Sequence, residues 1–322
     1  MATSKVFLLP VTRTSLPFAA SLLRFSAGNL PSTTRFLICA RSRELERQLR
    51  VQFAPVLAAH AFDSVPDWRQ SRDLLEAFNV CDGVLLASGG GNSVTELDCG
   101  RSASEWFECE QLVTKALSQD HQVVKLSWTL GFTNERSPLS VGRANWELEE
   151  TLKQQIRGDK LQIVRAATGM DTFLQGRMFD MVCARTLSMS VNRGRMAFVH
   201  PLDVAESLSA LLQKEGEDGG VHTLTGPEAL TFQDVATLLS EGIADKVRYS
   251  HFPLWAVQPA RWVHGVPGDA IEEELAVVRA LEAGAQQEVD TGLIEKLLGR
   301  QPRTFRNFVA ENKKAWPRTD PL

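Results

Sequence analysis

Lys5–Phe25 reads KVFLLPVTRTSLPFAASLLRF, and the fold is decided there. The apolar run Val6-Phe7-Leu8-Leu9 stops at Pro10, and a polar turn follows, Val11-Thr12-Arg13-Thr14-Ser15. From Leu16 to Phe25 the apolar residues fall at helical spacing, with Leu16, Ala19, Ala20 and Leu23 on one face. Pro17 sits in the first turn, where a helix tolerates proline. Thr14 or Ser15 can cap it. A buried strand, a tight turn and a helix open a doubly wound nucleotide-binding sheet. That turn normally carries glycine, because a pyrophosphate must approach bare backbone and the turn needs φ > 0. Between Leu8 and Ala27 there is none. Branched and bulky side chains therefore fill the corner into which a diphosphate normally presses.

Outward from this stretch the same rhythm repeats. Phe36–Ala40, Pro55–Phe62, Gly83–Ala87, His121–Leu126 and Leu161–Arg165 read as short buried strands bounded by turns. Helical patterns at Arg43–Val51, Asp67–Phe78, Ser102–Ser118 and Ala144–Ile156 separate them. Alternating βα units predict a parallel sheet covered by helices. After about Gly169 the rhythm changes. Thr186–Val191 and Met196–Val199 flank a hairpin-like turn at Asn192–Arg195. Beyond it come more helices, with strands at Val221–Leu224 and Val247–Phe252. The expected fold is α/β, a Rossmann-like doubly wound parallel sheet with a smaller α+β substrate subdomain. The division falls at residues 1–168 and 169–322, the second part capping the cleft and interleaving with the sheet.

The 322 residues are 43% hydrophobic and 23% charged, which fits an ordinary soluble chain with room for a real core. A net charge of -4 gives no global attraction to nucleic acid. No apolar run approaches the ~20 residues that span a bilayer, and no signal peptide is expected. The five cysteines are widely spaced, with no CxxC pair, so neither a metal site nor a disulfide framework is expected. Reduced thiols point to a cytoplasmic location.

Three later segments carry a family likeness: Phe198–Glu206 (FVHPLDVAE), His222–Ala236 (HTLTGPEALTFQDVA) and Leu298–Val309 (LGRQPRTFRNFV). In order and spacing they resemble the NmrA-like branch of the atypical short-chain dehydrogenase/reductases, including festuclavine-dehydrogenase-type members of fungal natural-product pathways. The resemblance implies a Rossmann domain, usually with NADP, and a small substrate domain. It spans reductases, redox-sensing regulators and non-redox enzymes, so the fold does not name the reaction.

Departures from the family pattern shape the functional reading. The family's glycine loop is replaced by Val11–Ser15. Its Tyr-x-x-x-Lys pair is absent, since Tyr249 is the chain's one tyrosine and Pro253 stands four residues on. Asn145 occupies the matching helix position, with Glu149 four residues later. Ser127 matches the serine after strand five, and Met170-Asp171 approximates the Met-acid pair after strand six.

Asp171, Glu96, Asp98, Glu135 and Ser127 are the candidate catalytic groups, because acid–base work needs a carboxyl with a shifted pKa at the carboxyl edge of the sheet. Trp106, Trp128, Trp146, Asn145 and Met170 are candidate substrate contacts; indole faces can shelter a developing cation. For each carboxyl the plain alternative is a solvated surface group, and for the indoles core packing. If a cofactor binds, Thr12, Arg13 and Thr14 would meet its phosphates. Ser88 and Gly89 would line the cleft. Arg41 would meet a 2′-phosphate, though a solvated residue at a helix start is an equal reading.

The expectation is a small-molecule enzyme doing non-redox acid–base chemistry, such as cyclisation, isomerisation or epoxide rearrangement, with no cofactor required. An NADP-dependent reductase and a cofactor-sensing regulator are the alternatives. Asp203 is expected to cap its helix, and His200 and His222 to be structural. No metal, nucleic-acid or membrane partner is expected, and the oligomeric state stays open.

Overall fold

The computed structural model describes residues 5–11, 19, 22, 34–40, 44, 45, 47, 48, 51, 64, 65, 71–87, 102–214 and 219–318. Its main sheet is seven-stranded, in the order β3-β2-β1-β4-β5-β6-β8, and each neighbouring pair is parallel. The strands are β1 Lys5–Val11, β2 Thr34–Ala40, β3 Ser64–Val65, β4 Gly83–Leu86, β5 Gln122–Ser127, β6 Leu161–Ala166 and β8 Gly220–Leu224. The order reverses between β1 and β4. At that point the connections diverge to opposite faces and open a crevice beyond the strands' carboxyl ends.

Strand alternation explains the layers. Phe7, Leu9, Leu85, Val124, Leu126, Val164 and Ala166 point to one face. The helices Pro201–Gln213 and Gly292–Leu298 cover it, supplying Val204, Leu208, Leu212 and Ile294. Leu8, Val84, Leu86, Val123, Leu161 and Ile163 point to the other. There the helices Ser71–Phe78, Ser102–Ala116 and Ser140–Gln155 bring Phe78, Val113 and Leu152. Near the carboxyl ends this second face turns polar, with Lys125, Ser127 and Arg165 in the same alternation.

A second core lies under the later helices. Phe173 meets Phe198 and Phe305 edge-on at 5.6 and 5.3 Å, and Phe198 meets Phe232 at 6.1 Å. Trp316 donates its indole N–H to the Phe173 carbonyl at 2.6 Å. Each such aromatic pair adds about 0.5–1.5 kcal/mol beyond its buried area. Together they fix the short 3-10 turn Met170–Leu174 that follows β6.

Several elements differ from the sequence expectation. The expected third strand, residues 55–62, lies outside the described residues, and the observed strand is Ser64–Val65. The hairpin at Asn192–Arg195 does not form. Instead β7 (Thr186–Met189) pairs in parallel with β9 (Arg248–His251), and Met196–Val199 makes only isolated bridges to Leu230, Gln286 and Gly169. The cause is Glu282, whose carboxylate accepts from the backbone N–H groups of Asn192, Arg193 and Gly194.

Asp203 is not a cap. His200 caps the helix, accepting from the Leu202 N–H at 3.2 Å. Buried Asp203 instead binds Arg300 at 2.7 Å, the Arg303 side chain, and the Arg303 N–H at 2.7 Å. That ties Pro201–Gln213 to the C-terminal segment. Among the described residues, no helix is long and apolar enough to cross a membrane, and Cys39, Cys81, Cys109 and Cys183 are buried and form no disulfide.

Candidate active site at the carboxyl edge of β5 and β6

The loops leaving β5 and β6 meet at one point. Trp128 directly follows β5, and Thr168-Gly169-Met170-Asp171 follow β6. Buried Gln286 clamps the two loops together. It accepts from the Thr168 hydroxyl at 2.8 Å and donates to the Leu130 carbonyl at 2.9 Å. The Leu130 N–H reaches the Ala166 carbonyl at 3.2 Å, and the Met170 N–H the Val199 carbonyl at 2.9 Å. Met170 is wholly buried.

Asp171 is 9% exposed, and its Oδ1 has no hydrogen-bond partner among the described residues. Burial pushes its carboxyl up to about 6, against a small opposing effect of a backbone N–H. A charged carboxylate loses hydration there that the backbone N–H replaces only in part. Gly169 makes the arrangement sterically feasible. A Cβ at this position would stand 2.3 Å from Asp171 Oδ1 and 3.2 Å from the Trp128 ring. The carboxyl and the indole therefore share the space above bare backbone. A protonatable carboxyl against an apolar wall can deliver a proton to a reacting atom.

Beside this point lies a buried polar network on the helix-covered face. Lys125 Nζ is 3.0 Å from Glu110 Oε2, donates to Asn145 Oδ1 at 2.9 Å, and sits 5.8 Å from the Trp106 ring centroid. Asn145 Nδ2 donates to the Thr129 hydroxyl at 3.2 Å, which in turn contacts the Thr133 hydroxyl at 2.7 Å. Four residues along the same helix, Glu149 accepts from Ser127 Oγ at 2.8 Å and from Arg165 at 2.6 and 3.0 Å.

Of the sequence candidates, the structure brings together Asp171, Trp128 and Met170. Asn145, Ser127 and Trp106 lie in the adjoining network, where the Ser127 hydroxyl is engaged by a carboxylate. Glu135 is exposed on the loop after β5, and Trp146 is half-buried on the outer side, lining a groove with Phe107 and Lys115. Glu96, Asp98, Thr12, Arg13, Thr14, Arg41, Ser88 and Gly89 lie outside the described residues.

Sequence reasoning missed Lys125, Glu110, Gly169 and Gln286. Lys125 had a signal: a charge inside the apolar strand Val-Val-Lys-Leu demands a buried partner. Gln286 had none, since its partners are 118 and 156 residues away.

No family model matches the chain. Agroclavine dehydrogenase of Claviceps fusiformis is 26% identical over 164 residues, 50% of this chain and 56% of that protein. The NAD(P)H azoreductase of Xenophilus azovorans is 29% identical over 132 residues, 40% of this chain and 44% of the other. The chain thus spans about half the length of the curated relatives it matches. Among solved structures, a nucleoside-diphosphate-sugar epimerase from Staphylococcus aureus superposes with a TM-score of 0.71 at 15% identity, over 95% of this chain and 99% of that one. The Citrobacter sp. triphenylmethane reductase complexed with NADP(H) gives 0.68 at 15% identity, over 96% of this chain and all of the other.

The expectation that no cofactor is required is corrected by these neighbours, which share the fold over nearly the whole chain and include one holding NADP(H). In general, backbone N–H groups at a helix N-terminus can meet a phosphate whether or not the preceding turn carries glycine. The relatives likewise favour redox chemistry over the expected cyclisation or isomerisation. Sheet order and the β1/β4 crevice are those of a Rossmann-like α/β fold, and over about half its length the chain is similar in sequence to agroclavine dehydrogenase and to an azoreductase.

Proposed function

We propose that the chain is an NADP(H)-dependent reductase of a small conjugated organic molecule, with Asp171 as its proton donor. The observation that carries this reading is the Asp171 carboxyl, buried, raised to about 6 and unpartnered at Oδ1, beside Trp128 at the carboxyl edge of the sheet. At the described end of the crevice Gly169 leaves room for the Asp171 carboxyl beside the Trp128 ring, and the reacting end of such a cofactor would lie alongside them. The phosphate end would fall to residues 12–14 and Arg41. What the nicotinamide supplies when bound is a hydride.

The chain's own residues do the rest. Asp171 holds a proton at Oδ1 and gives it to the heteroatom of the bond being reduced. The proton is then replaced from solvent. Trp128 walls the site, excludes water and offers a flat face to a conjugated ring. Gln286 and the Phe173 cluster hold the two loops in register, and positioning of this kind carries much of a rate enhancement. The substrate class follows the relatives' names, which include an azoreductase and a triphenylmethane reductase.

Calorimetric titration with NADPH, followed by nicotinamide absorbance with an azo dye, a triphenylmethane dye and a quinone, tests the reading. Binding in the micromolar range and oxidation dependent on one of these acceptors is the expected result. Absence of NADPH binding would sink it.

A further inference from the structure

A cavity of about 230 Å³ lies in the second core, away from Asp171, Trp128 and Gly169, none of which line it. Its walls come from the helices Gly176–Cys183, Leu254–Val263 and Gly268–Glu282 and from the end of β7. The volume exceeds the ~150 Å³ that holds a benzene ring and falls below the ~300 Å³ floor of drug-sized pockets. A ligand of roughly ten non-hydrogen atoms matches that range.

The lining is of two kinds. Val191, Val257, Val277, Val278 and Leu281 form an apolar wall, all less than 9% exposed. Three charged side chains face them: Arg177, Arg261 and Glu274. Arg261 grips Glu274 through both carboxylate oxygens, at 2.8 and 2.7 Å. That pair is neutral. Arg177 has no carboxylate partner among the described residues, so the cavity keeps one surplus guanidinium. Arg177 is exposed as a residue; partial desolvation of its guanidinium and the like charge of Arg261 push its pKa down, with Glu274 opposing.

We infer that this cavity is a binding site for a small amphipathic monoanion, its carboxylate on Arg177 and its apolar body against the valine wall. A guanidinium fork matches a carboxylate bidentately, and an anion there completes the charge balance that Glu274 leaves half done. The apolar wall disfavours inorganic anions, which bring nothing to cover it. The site is independent of the proposed reductase centre.

Titration of the full chain with octanoate, 3-phenylpropanoate and their primary amides tests the assignment. One or both carboxylates should bind with single-site stoichiometry, at least tenfold tighter than the matching amide. Arg177→Met keeps the stem and removes the charge at an exposed position, and should weaken the carboxylate at least tenfold. Glu274→Gln frees Arg261 as a second guanidinium and should tighten it several-fold. Equal binding of acid and amide, an unaffected Arg177→Met, or no binding of either acid at millimolar concentration would each overturn the inference.

Discussion

Replacing Asp171 by asparagine removes a charge that the fold has to bury. The folded carboxyl ionises at about 6 against an ordinary 3.8. The native state therefore holds its proton more tightly than the unfolded chain, and stability falls as pH rises through that window. The penalty is absent below the unfolded value, amounts to about 1 kcal/mol at pH 4.5, and levels off at about 3 kcal/mol above pH 7. Asparagine keeps the shape and escapes the penalty, but its amide N–H groups need partners, at a cost of about 1–3 kcal/mol that does not vary with pH. The informative quantity is thus the change of ΔΔG with pH. Between pH 4.5 and 8 the variant should gain about 2 kcal/mol on the wild type. Urea unfolding at both values, followed by tryptophan fluorescence, reads this directly. If the proposed reductase reading holds, the same variant should lose most of its NADPH-dependent turnover while keeping NADPH affinity. A pH-independent ΔΔG would refute the argument, because it would mean that the carboxyl is hydrated in the folded state.

Other consequences can be measured in the same way. If Asp171 gives up a proton in turnover, kcat/KM should fall as pH rises above about 6, and the pH profile of Asp171→Asn should lose that limb. Gly169→Ala pushes a methyl to within 2.3 Å of Asp171 Oδ1; about 1–3 kcal/mol of stability should go by urea titration, with turnover lost alongside. Lys125→Met removes the buried cation 3.0 Å from Glu110, costing about 3–5 kcal/mol, and adding Glu110→Gln should recover part of it in thermal melts. Ser127→Ala should cost about 1 kcal/mol of stability and change kcat little, because its hydroxyl donates to Glu149.

The sequence by itself determined the scaffold. Strand runs such as Val6–Leu9 and Gly83–Leu86 are apolar because parallel strands are covered on both faces, so their positions are legible without tertiary knowledge. The capping boxes that Thr231 builds with Asp234 and Thr304 with Asn307 are local too, each closed within four residues. The Met-acid pair after β6 marked Asp171 as a candidate. Only the tertiary structure decided which carboxyl loses its water, because desolvation depends on what packs around a group and not on its neighbours in the chain. Asp171 and Glu135 look alike in sequence, yet one lies under Trp128 and the other in solvent. The hairpin at Asn192–Arg195 failed for the same reason, since the Glu282 carboxylate that captures it arrives from 88 residues away. Local periodicity records what each segment must bury, whereas the long-range partner it is buried against is chosen by the folded chain.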